Sequence, residues 1–477
     1  MLKGKHKSKE SRRGEYRKLS NGGGLARSSN EGVVMALERR GKHVQVSPSS
    51  TTRHSGKCVR KTDWYETRGI SLSIKHFLDA YKKVKRNKGS HGVDGQSLKD
   101  FESKLVINLY TLWNRVSSGS YFPPAVREKG IPKTDGKVRY LGIPTVGDRI
   151  VQQVIKTYIE ADLEDIFSPS SWGYRPKRGM FGALKEVQHN VRHHGWVIDM
   201  DIAAFFDNVS HEKLNLALDR HVREPWIRAL INRWLSAGIQ GEDGELRYRQ
   251  GRGTPQGGVI SPLLANLYLH YALDRWLEQE HPTIKFVRYA DDVIVHCNRY
   301  EEACHLRNEI RRRLEICDLQ LNEEKTQIVF CKRDNRRSVY NKVKFDFLGY
   351  TFKPRTNVGL EGRLFTTFDC GVSIKSERKF CQRLKDLAFH RWTRRTVQEV
   401  AKALNPLIAG WVNHFGMFNP RLLMRAMGSL NDRLAKWVCR RYKRFGKSMR
   451  KASRFLRNLA IEKPMLFYHW RKGYHTA

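Results

Sequence analysis

Two short stretches of the chain place acidic residues where acids are costly to hold. The first, Trp196-Val197-Ile198-Asp199-Met200-Asp201-Ile202-Ala203-Ala204-Phe205-Phe206-Asp207, sets Asp199 and Asp201 among apolar residues. The second, Lys285-Phe286-Val287-Arg288-Tyr289-Ala290-Asp291-Asp292-Val293-Ile294-Val295-His296, puts two adjacent carboxylates between runs of β-formers. Adjacent carboxylates in apolar surroundings repel each other and resist leaving water. A divalent cation removes that penalty, and hard oxygen ligands suit Mg²⁺, which keeps water and substrate phosphates in its shell. Two such ions about 3.5–4 Å apart activate an attacking oxygen and stabilise a leaving one in phosphoryl transfer. Taken alone, the Asp291-Asp292 pair reads equally well as a turn, because Asp favours turns.

The elements that must carry these acids follow from pattern. A strand from Trp196 to Ile202 puts Asp199 and Asp201 on one face, since side chains alternate with a period of two. The strand pattern alone does not choose between them. The β-formers on either side of Ala290 predict a hairpin with Asp291 and Asp292 at its tip. Upstream, Ile74, Phe77, Leu78, Tyr81 and Val84 follow helical spacing, and the Gly-rich run 87–95 must end that helix. Ile150, Val151, Val154, Ile155, Tyr158 and Ile159 mark a second helix, capped by Thr145 or Asp148. Between the two, residues 131–140 read as a hairpin turning at Asp135-Gly136, with Lys133 and Arg139 on its arms. Thr254-Pro255-Gln256-Gly257-Gly258 is a Gly-rich turn ahead of a helix starting near Ser261, and its glycines permit close backbone approach. From 196 to 350 β-rich runs alternate with helical ones, and beyond 371 the chain is mainly helical. The fold class is therefore α+β, with a helical region at the end.

Composition narrows the partners. The 477 residues include 89 Lys and Arg against 48 Asp and Glu, a formal net charge of +41. Charge of this size recruits polyanions, nucleic acid first, by counterion release. Forty per cent of residues are hydrophobic, which excludes a fully disordered chain. No apolar run approaches the ~20 residues of a membrane span, and the N-terminal residues lack the apolar centre of a signal peptide. Eight scattered cysteines without a C-x-x-C pair argue against a zinc ribbon or a disulfide framework. A cytoplasmic protein, free in the cytoplasm or nucleoid-associated, without membrane partners is the expectation. Residues 1–62, with 16 Lys and Arg against 4 acids and no hydrophobic periodicity, read as a basic flexible extension.

Tyr289-Ala290-Asp291-Asp292 is similar to the active-site signature of reverse transcriptases, and the motifs around it resemble group II intron-encoded proteins in content and order. The resemblance covers roughly residues 73–470. It rests on NKGSHGVDG (87–95), IPKTDGKVRYLGIPTVGDRIVQQ (131–153), SSWGYRPKRG (170–179), DIAAFFDNV (201–209), GTPQGGVISPLLANLYL (253–269), NEEKTQ (322–327) and FLGY (347–350). It implies a right-hand polymerase: fingers and an antiparallel-sheet palm over 63–350, an α-helical thumb or maturase domain over 351–450, and a basic DNA-binding tail over 451–477. By this resemblance Asp201, rather than Asp199, joins Asp291 and Asp292 as ligands of two Mg²⁺ ions. Phe206 is implied as a steric gate that favours dNTPs over rNTPs. Lys133 and Arg139 are implied to grip the triphosphate, Arg by bidentate contact, and Gln256 to lie near the nucleotide. Lys325 takes the place of a general acid for pyrophosphate. Gly349 and Tyr350 belong to the segment supporting the primer terminus, and Arg175 to a template or nucleotide contact. Tyr174 stands where the family usually has Phe.

The implied partners are group II intron RNA or another RNA template, a DNA primer or target, and dNTPs. Asn405-Pro406-Leu407-Ile408-Ala409-Gly410-Trp411-Val412-Asn413-His414-Phe415 resembles the maturase-specific segment, which helps intron RNA fold. Leu404, Leu407, Ile408, Trp411 and Phe415 repeat at helical intervals and read as core, leaving RNA contact to the basic faces. Many relatives end in a nuclease domain with paired cysteines and histidines. The sequence here ends in Tyr-His-Thr-Ala, so its primer is expected to come from elsewhere, such as a nascent strand at a replication fork. A domesticated reverse transcriptase of antiviral defence or CRISPR adaptation would share the same palm. A splicing cofactor with a decayed polymerase site is disfavoured by the intact Asp201, Asp291 and Asp292.

Overall fold

A computed structural model describes residues 72–475 except 133–135, 137, 337 and 360. The expected basic extension over 1–62 and Lys133 both lie outside the described residues. The chain divides into two compact units, one of residues up to 122 with 145–154, the other of residues 123–144 with 155 onward.

The first unit holds helices Ile74–Asn87, Leu98–Ser103 and Leu105–Ser117. The stripe Ile74, Phe77, Leu78, Tyr81 and Val84 is buried, as its spacing requires. Gly92 allows the chain to pass against Thr145, where a Cβ would come within 2.6 Å of backbone. The Thr145 hydroxyl accepts the Asp148 N–H at 3.1 Å, which makes Thr145 the cap. Arg149 then donates to the carbonyls of Lys88 and Ser90 at 3.3 and 2.7 Å, fastening the Gly-rich loop.

The second unit contains three sheets. β1 (Val126–Pro132) and β2 (Val138–Ile143) form the expected antiparallel hairpin, Pro132 opposite Val138. β3 (Trp196–Asp201) follows, and the short β4 (Ile239–Gln240) and β5 (Leu246–Arg247) extend the hairpin into a sheet of order β2-β1-β4-β5. β6 (Lys285–Tyr289), β7 (Asp292–Cys297) and β8 (Gln327–Phe330) join β3 in a sheet of order β6-β7-β3-β8. All its pairings are antiparallel. β9 (Phe345–Phe347), β10 (Tyr350–Val358) and β11 (Leu364–Val372) make a third antiparallel sheet.

The face of β3 that carries Asp199 and Asp201 is apolar at its other end. Val197, with Val287, Ile294 and Val329 from the neighbouring strands, packs on Ala183, Leu184, Val187 and Val191 of helix Met180–His193. Phe345, Phe347, Tyr350, Phe352, Phe368 and Cys370 of the third sheet close the same core. The acids thus sit at the rim of a well-packed layer, which fixes their strands while leaving their carboxylates accessible.

Helices Ile374–Asp386, Val397–Phe415, Met424–Arg441 and Met449–Glu462 form the helical part. The second of these helices supplies its own start signal: Thr396 and Glu399 make a reciprocal capping box ahead of Val397. Two expected boundaries need correction. The division at 350/351 falls at the first residues of β10, whose Tyr350 and Phe352 belong to the core beneath the acidic sheet. The division at 450/451 falls inside helix Met449–Glu462. Ala452, Leu456, Phe467, Trp470 and Tyr474 share one apolar core with Leu404, Ile408, Leu430 and Trp437, so 451–475 pack as part of the helical domain rather than as a tail.

Candidate active site

Antiparallel pairing of β3 with β7 sets Asp201 directly opposite Asp292. The β6–β7 turn adds Asp291, and Ala290 supplies the bend with φ +58°, a conformation a non-glycine residue adopts only when its surroundings impose it. Those surroundings are visible. Arg288 is fully buried and donates to both carboxylate oxygens of Asp274, at 2.7 and 2.5 Å. It also donates to Asn266 Oδ1 at 2.9 Å and to the Ala290 carbonyl at 3.1 Å. Asn266 in turn donates to the Gly173 carbonyl at 2.8 Å. Gly173 is glycine because a Cβ there would stand 2.5 Å from the Ala290 nitrogen. Asp274 lies in a π-helical turn, His270–Asp274, that interrupts helix Ser261–Leu269 and Arg275–Glu280.

Three carboxylates meeting at one rim disturb one another. Asp292 keeps solvent access, yet loss of water around it, then Asp291, Asp201 and Asp199, push its carboxyl up to about 7. Asp291 is also raised, by burial first and then by Asp201. Asp201 carries the counterweight: its Oδ2 accepts from Lys325 Nζ at 2.7 Å and from Asn322 Nδ2 at 3.0 Å. The bond to Asp201 raises the Lys325 ammonium above its ordinary value. Asn322 also donates its backbone N–H to the Asp201 carbonyl at 2.9 Å. Asp199, on the same strand face, accepts from Gln327 Nε2 at 2.9 Å, and burial pushes it up to about 6.

No three acidic, His or Cys side chains among the described residues are grouped tightly enough to enclose one ion. Magnesium does not need such a cage, because it binds through one or two carboxylates with water and substrate phosphates completing the shell. The donor set therefore fits: all-oxygen ligands with uncompensated negative charge that a cation would relieve.

The remaining expected residues separate clearly. Phe205 is buried and Phe206 only half-buried, their rings edge-on at 5.4 Å. They follow Ala204, whose φ of +42° turns the chain out of β3. Arg139 donates from Nε to Gln256 Oε1 at 2.9 Å. Gln256 is held by its own carbonyl, which accepts the Gly142 N–H at 2.7 Å. Gly257, at φ +122°, permits this approach, since a Cβ there would lie 2.4 Å from the Gly142 oxygen.

Two expected roles do not survive the geometry. Arg175 is buried, donating to Glu164 from Nε (2.9 and 3.1 Å) and to the Ser168 and Ser171 carbonyls from Nη1. Its fork is spent inside the protein and is not offered to a template. Tyr350 is fully buried, its hydroxyl donating to the His414 carbonyl and its ring 5.4 Å from that of Phe415. It joins the third sheet to helix Val397–Phe415 instead of touching a primer. Gly349, φ +84°, makes the turn before it, and its carbonyl accepts from Ser373 N and Ser376 Oγ at 3.1 and 3.0 Å. Tyr174 was noticed only as a variation, yet it is exposed, holds φ +58°, and feels the charges of Asp291 and Asp292. Asn322, Asp207 and Arg288 escaped the sequence reading, although Asn322 and Asp207 lie inside motifs already recognised.

A family model for reverse transcriptase (RNA-dependent DNA polymerase) matches residues 131–352, and one for the group II intron maturase-specific domain matches residues 377–455. Protein YkfC of Escherichia coli K12 is 34% identical over 281 residues, 51% of this chain and 73% of that protein. The chain belongs to the group II intron reverse transcriptase–maturase family. The group II intron-encoded protein LtrA of Lactococcus lactis is 29% identical over 310 residues, 64% of this chain and 48% of LtrA. The matched region thus spans about half of LtrA. A telomerase structure from Candida albicans is similar at a TM-score of 0.42 and 11% identity, over 75% of this chain and 66% of that one. In this reverse transcriptase the acidic sheet and β2 fall within the polymerase match, which begins at the last two residues of β1. Helices Val397–Phe415 and Met424–Arg441 fall within the maturase-specific match.

Proposed function

We propose that this reverse transcriptase extends a DNA primer on an RNA template with dNTPs, its Asp201, Asp291 and Asp292 holding two Mg²⁺ ions. The observation that carries this reading is the pairing of Asp201 with Asp292 beside Asp291, where burial first and the neighbouring carboxylates second raise Asp291 and Asp292. Bound cations would supply charge neutralisation for the attacking hydroxyl, the α-phosphate and the departing pyrophosphate. The chain's own residues do the rest by alignment. Arg139 offers to a triphosphate two Nη groups that have no hydrogen-bond partner among the described residues. The half-buried Phe206 ring occupies space that a 2′-hydroxyl would need. Lys325, exposed and beside Asp201, donates a proton to leaving pyrophosphate in this reading.

The test is primer extension on an RNA template with Mg²⁺. Asp291→Ala is expected to lower the rate at least about a hundredfold with the fold intact. Undiminished extension by that variant removes Asp291 from the mechanism.

The maturase-specific region supports a second role, binding intron RNA to assist splicing. Arg378, Lys379 and Arg433 line a surface cavity of about 440 Å³ with Cys381 and Gln382. Lys436 and Arg440 continue the same positive field, which lowers His390 after desolvation has done so. None of these five cations has an ion-pair partner among the described residues. A shape-reading contact to RNA backbone is what such a face can make. Intron mobility into a DNA target would follow from the two roles together.

A further inference from the structure

Gln256 is gripped from two sides. Arg139 Nε reaches its amide oxygen at 2.9 Å, and its amide nitrogen donates to both carboxylate oxygens of Asp207 at 3.3 Å each. A glutamine amide is nearly symmetric in shape, so nothing in its packing decides which end is oxygen. Asp207 decides it. An ionised carboxylate only accepts, so it takes the NH₂ end and leaves the oxygen facing Arg139. The backbones are locked to this spacing: Thr254 N donates to the Phe206 carbonyl at 2.7 Å and Gly253 N to the Val209 carbonyl at 2.8 Å. Gly253, at φ +88°, lets the two segments close, as a Cβ would come 3.0 Å from the Asp207 oxygen.

We propose that Asp207 is a positioning residue for nucleotide binding, setting the Gln256 amide so that Arg139 is held through Nε, its two Nη groups, without a hydrogen-bond partner among the described residues, left open to a phosphate. The relay runs from the helix after β3 through Gln256 to β2. It therefore couples the segment carrying Phe206 to the hairpin arm carrying Arg139. Without Asp207 the amide can turn, presenting N–H to N–H, and Arg139 loses its anchor. The inference rests on the polymerase reading above, because it assigns the free guanidinium edge to a dNTP.

The experiment is equilibrium binding of a complementary dNTP to the full chain with an RNA template and a chain-terminated DNA primer, so that no chemistry is needed. Asp207→Ala is expected to weaken dNTP binding about tenfold, with an unchanged melting temperature and unchanged primer–template affinity. Asp207→Ala combined with Gln256→Ala should be no worse than Gln256→Ala alone, since the two act as one unit. A polarity swap gives the sharper reading: Asp207→Asn with Gln256→Glu restores a donor–acceptor pair and should bind dNTP more tightly than Gln256→Glu alone. Wild-type affinity in Asp207→Ala, additive losses, or no gain from the swap overturns the proposal. Wild-type dNTP binding without extension of an unblocked primer would instead overturn the polymerase reading and leave the relay standing. Absence of any dNTP binding by the wild-type complex would overturn both.

Discussion

Lys325 Nζ stands 2.7 Å from Asp201 Oδ2, on the oxygen that Asn322 also reaches. An ammonium there neutralises Asp201 when no divalent ion does, and it competes with an ion that takes the same oxygen. Replacing Lys325 by Ala is expected to slow extension about a hundredfold to ten-thousandfold, the range of a lost proton donor. It should also lower the Mg²⁺ concentration needed for half-maximal rate. A Mg²⁺ titration of both proteins checks the two effects, and an unchanged rate dismisses Lys325 as a proton donor.

Phe206 is half-buried against the buried Phe205. If Phe206 is the proposed steric gate, truncation to Ala removes its clash with a 2′-hydroxyl at the cost of one ring contact to Phe205. The ratio of rNTP to dNTP incorporation should rise about tenfold or more while dNTP extension changes little. Single-nucleotide incorporation with matched dNTP and rNTP measures it. An unchanged ratio assigns Phe206 to packing.

Arg288 and Asp274 form a fully buried pair that also braces the Ala290 carbonyl. Breaking such a pair leaves a charge without water or partner, at a cost of about 3–5 kcal/mol. Arg288→Met should therefore lower stability by that amount in urea unfolding, and extension should fall because the turn bearing Asp291 loses its brace. Adding Asp274→Leu removes the stranded carboxylate and should recover part of the stability but little of the activity.

Asp199 illustrates the opposite economy of charge. Its folded value of about 6 lies above the ordinary carboxylate value of 3.8, because burial disfavours the anion. The native state then holds a proton that the unfolded state has released, so stability falls as pH rises from about 4 to about 6 and is level above that. Asp199→Asn, which can still accept from Gln327, should melt higher than the wild type above pH 6 and alike near pH 4. Its extension rate should remain within a few-fold. Loss of activity as complete as in an Asp201 variant would make Asp199 a member of the site.

What the sequence disclosed was local. The Ala290 hairpin, the Asp135-Gly136 hairpin and the helix opening at Thr145 each follow from alternation, turn residues or caps within a dozen positions. The pairing of Asp201 with Asp292 needed the family resemblance, since ninety-odd positions separate them and strand order is not written in periodicity. Arg175 looked available because its partner Glu164 lies across a helix end, and Tyr350 because His414 is 64 positions away. Nothing local marks Arg288 either, because its fork is fixed by Asp274, 14 positions away. The Asp207–Gln256 bond, 49 positions apart, was hidden for the same reason. Side chains whose work depends on a distant partner leave no periodic trace.

The rim of Asp201, Asp291 and Asp292 is an acidic island in a chain of net charge +41. The net positive charge draws a nucleic acid strand toward the protein, and the acidic rim opposes its phosphates. Attraction by net charge is indifferent to strand ends, whereas on the two-metal proposal the rim would admit phosphate only with cations. Holding a strand and acting on it thus answer to different ions. Rising monovalent salt should loosen the grip without touching the island, and chelation of divalent metal should do the reverse, leaving a protein that still clasps its nucleic acid but no longer lengthens it.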